Sequence, residues 1–351
     1  MHDEGLRFEA FFSELIARDE LTPSTVRAAF DAILAGTWNP VQVGAFAAAL
    51  RLRGESPALV AEGVRALRSV MKTVEHDLPV TLDTCGTGGD GLGTLNLSSA
   101  AAIVVASMGV HVAKHGNRAA SSRAGSADVF EALGIPVDLA PERQAHVLRE
   151  AGIAFLFAPA HHPALRHAAT ARRELGIRTI FNILGPLANP ARVSHQLLGT
   201  YDDGLRCLLA EALRDLGTRR AWIVHAKDGL DEISPAGETF VTELRDGTIS
   251  ERVVVPEDFG IERCGLDAIR GGNAEDNARD VLAILRGESH PARPAVVLNA
   301  AAAYVVATDS PLREAAELAD RTIRSGTAFE TLERWRAVAR AAKEETVGPA
   351  R

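Results

Sequence analysis

The sequence predicts an α/β protein with a small all-helical domain and a larger α/β domain, whose mostly parallel central sheet is flanked by helices. The first 75 or so residues carry apolar side chains at helical spacing. From residue 78, a strand, a glycine-rich loop, a helix and a second strand follow in the order of a parallel βαβ unit. Apolar residues make up 46% of the chain and aromatic residues only 5%. Such a core suits helices packed on a sheet.

The N-terminal region reads as helices only. The first helix is indicated by apolar side chains at helical spacing, namely Phe8, Phe11, Phe12, Leu15 and Ile16. Thr22-Pro23 predicts an N-cap followed by a first-turn proline, and Pro40 opens another helix. No strand pattern occurs in this part of the sequence, so we expect it to serve packing or dimerisation rather than chemistry.

Strands and helices alternate in the rest of the chain. The pattern predicts a strand at 78–83, a helix from about Ser99 to Met108 capped by Ser98, and a strand at 110–113. Further strands are predicted at 153–157, 221–224 and 295–298. The Gly- and Pro-rich run at 185–190 predicts a crossing between two domains.

Charge and composition exclude several classes of protein. A net charge of −8 argues against nucleic acid as the main partner, because that partner requires a basic surface. The three cysteines match no zinc or disulfide pattern, which favours reduced thiols in a cytosol. Residues 1–20 show no signal-peptide pattern, and the longest apolar stretch, 100–113, is too short to span a bilayer. We therefore expect a cytoplasmic protein with no membrane partner.

The glycine-rich loop from Gly86 to Gly91 fits the pattern G-x-G-x-x-G, which by itself is a weak signal. A dinucleotide site would need the helix to start within the glycines and an acidic residue about 20 positions later. The predicted helix starts later, and no Asp or Glu occurs from Gly91 through Ala127. A dinucleotide site is therefore excluded, and so is a P-loop, which needs Gly-Lys-Ser/Thr.

The same acid-free stretch favours an anion site. It contains basic, hydroxyl and amide side chains that suit a phosphate: Thr94, Asn96, Ser98, Ser99, Lys114, Arg118, Ser121, Ser122, Arg123 and Ser126. Converging backbone N–H groups of the glycines and the start of a helix would add donors. The stretch predicts a site for a multiply charged phosphate ligand. The alternative is a Gly- and Ser-rich connection that binds nothing.

A phosphate ligand of this kind usually brings a divalent cation, which needs oxygen ligands. Asp231-Glu232 follows the predicted strand at 222–225, so it would lie at the edge of the sheet where such folds bind ligands. The alternative is a solvated surface pair. A second basic group follows residue 165: Arg166, His167, Arg172, Arg173 and Arg178. Helical spacing separates its members, and one that faces the cleft could bind the carboxylate of a second substrate.

Longer motifs occur in order along nearly the whole chain and resemble those of the anthranilate phosphoribosyltransferases. The matching segments are 83–90, 96–99, 114–118, 125–128, 162–163, 172–182, 184–190, 229–232 and 298–302. The resemblance implies transfer of the 5-phosphoribosyl group from phosphoribosyl pyrophosphate to the amine of anthranilate, a pentosyltransferase reaction and the second step of tryptophan biosynthesis from chorismate.

The resemblance also implies which residues bind the substrates. Those for phosphoribosyl pyrophosphate are Gly86, Gly89, Asp90, Thr94, Asn96, Leu97, Ser98, Ser99, Lys114, His115, Gly116, Asn117, Arg118, Ala119, Ala120, Ser121, Ser122 and Ser126. Those for anthranilate are Gly86, Asn117, Arg172, His115 and His162. The implied cofactor is Mg²⁺, as two ions, with Ser98, Asp231 and Glu232 as ligands. No residue is assigned to proton transfer.

The family fold implied by the resemblance is nucleoside phosphorylase-like. It places residues 1–75 and about 172–192 in the helical domain, through which a homodimer forms, and residues 76–171 and about 193–351 in the catalytic domain. Two alternatives share the fold: a pyrimidine nucleoside phosphorylase-like enzyme, and a non-catalytic relative that binds nucleic acid. The 114–118 motif and the Asp231-Glu232 pair favour a pyrophosphate donor over the first, and the acidic net charge disfavours the second.

Four positions depart from the family pattern. Cys85 and Ser99 stand where an aliphatic residue and a threonine are expected. Gly93 replaces a larger residue, and Asn273 stands where an acid is common. None of the four removes a group that the chemistry needs, so we expect them to affect loop stiffness and affinity rather than the type of reaction.

Overall fold

The structure is a computed structural model that describes residues 6–17, 21–119 and 123–344. These residues form seven strands: β1 Thr81–Gly86, β2 His111–Gly116, β3 Ile153–Phe157, β4 His195–Gly199, β5 Arg220–Ala226, β6 Thr239–Arg245 and β7 Thr248–Val254. They also form fifteen α-helices: α1 Phe8–Ala17, α2 Pro23–Ala35, α3 Pro40–Arg53, α4 Pro57–Val70, α5 Leu97–Ser107, α6 Ser126–Ala132, α7 Pro141–Ala151, α8 Ala158–His161, α9 Arg166–Leu175, α10 Phe181–Leu187, α11 Leu205–Asp215, α12 Ala274–Leu285, α13 Arg293–Thr308, α14 Leu312–Arg324 and α15 Thr327–Glu344. Within this described part, every helix is too short or too polar to cross a bilayer.

Three of the N-terminal helices begin with the same local chemistry. Thr22, Asn39 and Ser56 each accept a hydrogen bond from a backbone N–H of the first turn, and each is followed by a proline. A side-chain acceptor satisfies one of the free N–H groups at a helix start, and proline there loses no helical hydrogen bond. The prediction from Thr22-Pro23 and Pro40 is confirmed.

A later segment of the chain packs against these helices. Phe181 of α10 lies with its ring centroid 6.0 Å from that of Phe30, which in turn lies 5.2 Å from Phe46. Helix α9 packs on α3, and α10 packs on α4. One apolar cluster joins α1–α4, α9 and α10 to a face of the sheet through residues such as Leu198 and Ile223. A polypeptide segment that comes after the third strand therefore completes the N-terminal helical unit.

The seven strands form one sheet in the order β3-β2-β1-β4-β5-β6-β7. The first five in this order are parallel, and β6 and β7 are antiparallel to their neighbours. From β1 the chain continues to β2 on one side, and from β4 to β5 on the other. This reversal opens a crevice outside the carboxyl ends of β1 and β4, where open α/β sheets bind ligands. The predicted mostly parallel sheet flanked by helices is confirmed.

Two predictions about individual elements are wrong. The segment 295–298 lies inside the helix α13 and not in a strand. This helix is buried on nearly every side, against α5, α14 and the sheet, so its sequence is continuously apolar like that of a buried strand. Helix α5 begins at Leu97 with Asn96 in the N-cap position, so Ser98 lies in the first turn and is not the cap.

The close packing of α4 generates a prediction. A Cβ on Gly63 would lie 2.7 Å from Cε2 of Phe30 and 2.9 Å from Cδ2 of Leu184, whereas a Cβ on Gly44 in α3 would meet nothing within 4 Å. We expect Gly63→Ala to lower the free energy of unfolding by about 1–3 kcal/mol, the cost of overpacking a core. Gly44→Ala should raise it by up to about 1 kcal/mol through helix propensity.

Urea denaturation of both variants measures this difference. Because the two substitutions are chemically identical and both lie in helix interiors, propensity alone would stabilise the two variants alike. That result would contradict the close contact between α4, α2 and α10.

Candidate active site

The carboxyl ends of β1, β2, β4 and β5 border a cavity of about 630 Å³. Most of the residues implied by the resemblance line it: Gly86, Gly89, Asp90, Thr94, Asn96, Ser98, Lys114, His115, Gly116, Asn117, Arg118, Ala119, Ser126, Arg172, Asp231 and Glu232. The fold thus brings together segments that are more than a hundred residues apart in the chain.

The glycine-rich loop after β1 forms one wall of the cavity. Gly88 and Gly89 have positive φ angles of 69° and 84°, a conformation that suits glycine. The N–H of Thr87 donates to the carbonyl of Gly199 at the end of β4, over 2.9 Å. A Cβ on Gly199 would collide with the carbonyl of Asp231. Glycine is required there because the backbone that carries the acidic pair passes directly over the end of β4.

Asp231 and Glu232 face the cavity from the loop after β5. Loss of water, and then the negative charge of Asp90, raise the pKa of Asp231 to about 7. Loss of water and the neighbouring Asp231 raise the pKa of Glu232 to about 8, although Lys114 lowers it. The N–H of Ser98 donates to Oε1 of Glu232 over 3.0 Å. The surface-pair alternative is therefore excluded.

These carboxylates fit a divalent cation. Oδ2 of Asp90 is buried and has no hydrogen-bond donor among the described residues, while Asp90 and Asp231 lie close enough to repel each other. A cation would remove this repulsion. The described residues contain no group of three or more His, Cys, Asp or Glu side chains arranged around one metal position. Mg²⁺ typically takes one or two carboxylates and completes its shell with water and substrate phosphate, so the donor set suits that ion.

An asparagine in α13 orients the acidic pair. Asn299, in the middle of α13, accepts the N–H of Ile233 over 2.9 Å and donates to the carbonyl of the same residue over 3.0 Å. The two bonds fix the chain directly after Glu232. The sequence contains one signal for this role, an asparagine within the otherwise apolar run of α13, but only the fold shows what it contacts.

A buried polar network lies beneath the cavity. Asp83 is fully buried in β1, where Oδ1 accepts the N–H of His115 over 3.0 Å and Oδ2 accepts Nδ2 of Asn189 over 2.8 Å. The ammonium of Lys114 is also buried and donates to the carbonyl of Thr84. Burial raises the pKa of Asp83 to about 6, while Lys114 and the donated hydrogen bonds oppose the rise. This network joins β1, β2 and the 185–190 segment, and sequence reasoning assigned no role to Asp83 or Asn189.

The start of α5 forms the floor beside the acidic pair. The side chain of Asn96 accepts a hydrogen bond from Asn277 over 2.8 Å and donates to the carbonyl of Ala124 over 3.2 Å. Ser98 lines the cavity, whereas Leu97 and Ser99 are buried in the core and do not line it. Backbone N–H groups and the positive end of the helix dipole favour anions at this position.

The loop after β2 carries the remaining predicted phosphate contacts. Asn117, Ala119 and Ser126 line the cavity. Arg118 also borders it, but its guanidinium pairs with Asp128 over 2.9 Å and with both carboxylate oxygens of Glu131. Of the predicted contacts in this loop, three lie outside the described residues: Ala120, Ser121 and Ser122.

The far side of the cavity suits an aromatic acid. Arg172 in α9 lines it and is paired with no carboxylate in the described part of the chain, and loss of water lowers its pKa. The rings of His115 and His162 pack with centroids 5.1 Å apart, His162 lying just behind the lining. Burial lowers the pKa of His162 to about 4 and that of His115 well below its usual range, so both rings are neutral at pH 7.

Arg172 lines the cavity whereas Arg166 and Arg173 do not, as helical spacing predicts. Arg166 donates to the carbonyl of Pro163 at an exposed position, and Arg173 pairs with Glu174 in solvent. Arg178, in contrast, lines the cavity and stacks on Tyr201. Tyr201 has no signal in the sequence because it lies outside every recognised motif.

The structure accommodates three of the four departures from the family pattern, whereas the buried hydroxyl of Ser99 has no hydrogen-bond partner among the described residues. Gly93 has a φ of 64°, which a larger residue would adopt only under strain, and its carbonyl accepts the N–H of Gly271. Asn273 caps α12 by accepting the N–H of Asp276, a role that an acid also fills. Cys85 accepts a hydrogen bond from Nε2 of Gln196 over 3.0 Å.

Comparison with known proteins matches two separate parts of the chain. Residues 78–329 match the α/β domain of the glycosyl transferase family, and residues 10–71 match the helical bundle domain of a glycosyl transferase family. The chain is 48% identical to an anthranilate phosphoribosyltransferase from Symbiobacterium thermophilum, over 93% of this chain and 96% of the relative.

Solved structures agree with this relationship. The anthranilate phosphoribosyltransferase of Thermus thermophilus superimposes with a TM-score of 0.89 at 42% identity, over 94% of this chain and 99% of that one. The enzyme from Saccharomyces cerevisiae in complex with PRPP and Mg superimposes with a TM-score of 0.88 at 28% identity, over 95% and 98% of the two chains. The yeast enzyme has also been solved with 4-fluoroanthranilate.

The buried network beneath the cavity generates a prediction. Asp83→Ala leaves the N–H of His115 and the amide of Asn189 without their acceptor. It also removes the negative charge that most raises the pKa of Lys114. We expect the free energy of unfolding to fall by about 3–5 kcal/mol, as when one partner of a buried ionic group is removed. Asp77→Ala changes the same residue type at a position whose side chain is 87% exposed, and it should change stability by less than about 0.5 kcal/mol. Equal urea midpoints for the two variants would contradict the network.

Proposed function

The chain belongs to the anthranilate phosphoribosyltransferases of the glycosyl transferase family, and we propose how the residues of its cavity carry out their reaction. The enzyme transfers the 5-phosphoribosyl group from phosphoribosyl pyrophosphate to the amine of anthranilate, which gives N-(5-phosphoribosyl)anthranilate and pyrophosphate. The nucleoside phosphorylase and nucleic-acid-binding alternatives are set aside, because the relatives that match over most of the chain carry out this transfer.

The donor binds along the glycine loop, the start of α5 and the loop after β2. The observation that supports this assignment is the meeting of Gly86–Asp90, Ser98 and Lys114 at one cavity that also holds Asp231 and Glu232. The wall of the cavity contributes N–H and hydroxyl donors for phosphate oxygens, with the helix dipole directed at them. A related yeast enzyme has been solved in complex with PRPP and Mg, which supports the identity of the donor and of the metal.

Two magnesium ions would be held by Asp231, Glu232 and the hydroxyl of Ser98. When bound, Mg²⁺ neutralises the charge of the pyrophosphate and so makes it a better leaving group. Asn299 keeps the acidic pair in place through Ile233, and the N–H of Ser98 orients Glu232. The repulsion among Asp90, Asp231 and Glu232 supports this assignment, since a cation relieves it.

Anthranilate binds on the opposite side, between Arg172, Asn117 and Gly86. The guanidinium of Arg172 binds the carboxylate, and no carboxylate of the described chain competes for it. The neutral ring of His115 lines the cavity at the side where the benzene ring lies, and the ring of His162 packs against it from behind. Because these rings are uncharged, they offer a weakly polar surface to an aromatic substrate.

The reaction is a displacement at the anomeric carbon of the ribose. The bond from this carbon to the pyrophosphate oxygen breaks, the bond to the anthranilate nitrogen forms, and the nitrogen loses a proton to solvent. An aryl amine is already neutral and nucleophilic at pH 7, so the chain needs no general base. Its residues accelerate the reaction by holding the two substrates in line and by stabilising the developing charge of the leaving group.

The helical unit of residues 1–75 and about 172–192 serves to form a homodimer. Its exposed apolar side chains support this assignment, since Ile16, Val41 and Leu52 are 72%, 81% and 88% exposed. Side chains of this size and apolar character, when so exposed, are often covered by a partner. The remaining residues, 76–171 and about 193–351, form the catalytic domain.

A fluorescence assay tests the function directly. Purified protein, Mg²⁺ and phosphoribosyl pyrophosphate are mixed with anthranilate, and the loss of anthranilate emission is followed. The emission should fall only when protein, Mg²⁺ and phosphoribosyl pyrophosphate are all present with anthranilate. A folded preparation that leaves the emission unchanged, beside a positive control enzyme, would contradict the function.

The acidic pair generates a prediction for metal binding. We expect Asp231→Asn combined with Glu232→Gln to raise the Mg²⁺ concentration for half-maximal activity by more than about tenfold, because two anionic ligands are lost. The control is Asp267→Asn combined with Glu262→Gln, which makes the same change of charge at exposed positions outside the cavity. Equal metal requirements in the two double variants would show that the pair does not bind the metal.

Arg172 generates a prediction for the acceptor. We expect Arg172→Ala to raise the KM for anthranilate by about tenfold or more, since a hydrogen bond to a charged group contributes about 1.5–3 kcal/mol. The KM for phosphoribosyl pyrophosphate should stay within about twofold. Arg173→Ala is the matched control, because its neighbouring guanidinium is 72% exposed and faces solvent. A KM for anthranilate that is the same in both variants would remove Arg172 from the site.

A further inference from the structure

Arg178 makes an unusual set of contacts for a residue outside the assigned site. It lies between α9 and α10, in the segment that completes the helical unit, and its guanidinium crosses to the glycine loop of the α/β domain. There it donates to the carbonyl of Gly88 over 3.5 Å and to the carbonyl of Gly89. Its other contact is the ring of Tyr201, whose centroid lies 3.4 Å from Cζ.

The stacking geometry holds the guanidinium in place. A planar guanidinium over a tyrosine ring gains cation–π attraction, and the stack fixes the direction of its N–H groups. Among the described residues, no carboxylate pairs with Arg178. Its positive charge is therefore directed at peptide carbonyls, whereas a surface arginine usually pairs with a carboxylate.

The glycine loop is also held from the opposite side. The N–H of Thr87 donates to Gly199, and the hydroxyl of Thr87 accepts the N–H of Tyr201 over 3.2 Å. The N–H of Gly88 lies close enough to the carboxylate of Asp231 to lower its pKa. The peptide groups of Gly88 thus connect two charged groups, with the carbonyl toward Arg178 and the N–H toward Asp231.

Glycine alone fits this arrangement. Gly88 and Gly89 both have positive φ angles, and a Cβ on Gly89 would collide with the guanidinium of Arg178. A loop of several consecutive glycines is flexible by itself, because glycine loses more conformational freedom on folding than any other residue. Contacts from residues outside the loop must therefore offset the conformational entropy that the glycines lose, if the N–H groups are to be in place before the ligand binds.

We propose that Arg178, stacked on Tyr201, is a positioning residue that holds the Gly88 and Gly89 peptides in the orientation that binds the pyrophosphate of the donor and orients Asp231. The role in substrate binding rests on the proposed function, whereas the holding of the loop does not. Arg178 lies six residues after Arg172, so one short segment carries both the acceptor contact and the support of the donor loop.

Hydrogen exchange in the free enzyme tests the support of the loop without substrates. We expect the peptide that covers residues 86–92 to exchange about tenfold faster in Arg178→Ala than in the parent protein, and about as fast in Tyr201→Leu. Arg173→Ala is the matched control, with the same loss of charge a few residues away. Peptides from α13 report whether the fold is intact, and Arg178→Lys, which keeps the charge but not the planar fork, should give an intermediate rate.

Kinetics tests the consequence for the donor. We expect Arg178→Ala to raise the KM for phosphoribosyl pyrophosphate by about tenfold, with the KM for anthranilate within about twofold. Combining Arg178→Ala with Tyr201→Leu should raise the KM for the donor no further than Arg178→Ala alone, because Tyr201 acts through Arg178.

Each contrary result has a distinct meaning. If exchange of the 86–92 peptide is unchanged in Arg178→Ala while α13 stays protected, the proposal is overturned, and a rise in KM then assigns Arg178 to direct contact with phosphate. A rise of similar size in Arg173→Ala also overturns it, since loss of positive charge would be sufficient. If the parent protein consumes no anthranilate, the proposed function fails, and the exchange experiment still decides whether Arg178 holds the loop.

Discussion

The cavity depends on the way in which the fold holds carboxylates close together. Asp231 and Glu232 are adjacent in the chain, and Asp90 approaches them from the glycine loop. Lys114 and the N–H of Ser98 offset part of the charge, yet the pKa values of the acidic pair remain raised to about 7 and about 8. Burial raises both pKa values most, and repulsion between the neighbouring carboxylates adds to the rise. A divalent cation, with the phosphate that accompanies it, would relieve this repulsion. The surrounding structure serves to keep these like charges in place.

Close approach of backbone to backbone is what makes this arrangement possible. The acidic loop passes over the end of β4 at Gly199, where no side chain fits, and β1 ends beside it at Gly86. Asn299 holds the loop from beneath through two hydrogen bonds to Ile233. Asp83 binds the backbone of His115 and the side chain of Asn189, so it ties β2 and the 185–190 segment to β1. Uncharged donors and closely packed glycines thus decide where the charged groups lie.

Much of the architecture could be predicted because its signals are local. The Thr22-Pro23 start of α2, the strands at 153–157 and near 221–224, and the glycine loop after β1 each follow from neighbouring residues. The failures have a common physical origin in burial. The segment 295–298 is apolar on all sides because α13 is covered on nearly every face, and period alone does not separate such a helix from a buried strand. Strands β4, β6 and β7 escaped prediction, and the last two form an antiparallel edge that the βαβ pattern does not anticipate.

The sequence by itself determined the chemistry that the chain carries: a glycine loop, a stretch free of acidic residues and a separate Asp231-Glu232 pair. These features depend only on the types of neighbouring residues and on their spacing along the chain, so they can be recognised without the fold. Only the tertiary structure decided which of them meet. It buried Leu97 and Ser99 in the core, directed Arg118 to Glu131, and brought Arg178 and Tyr201 to the glycine loop from distant parts of the chain. The physical reason is that side-chain direction and charge pairing depend on neighbours supplied by chain segments far apart in sequence, and packing alone brings those segments together.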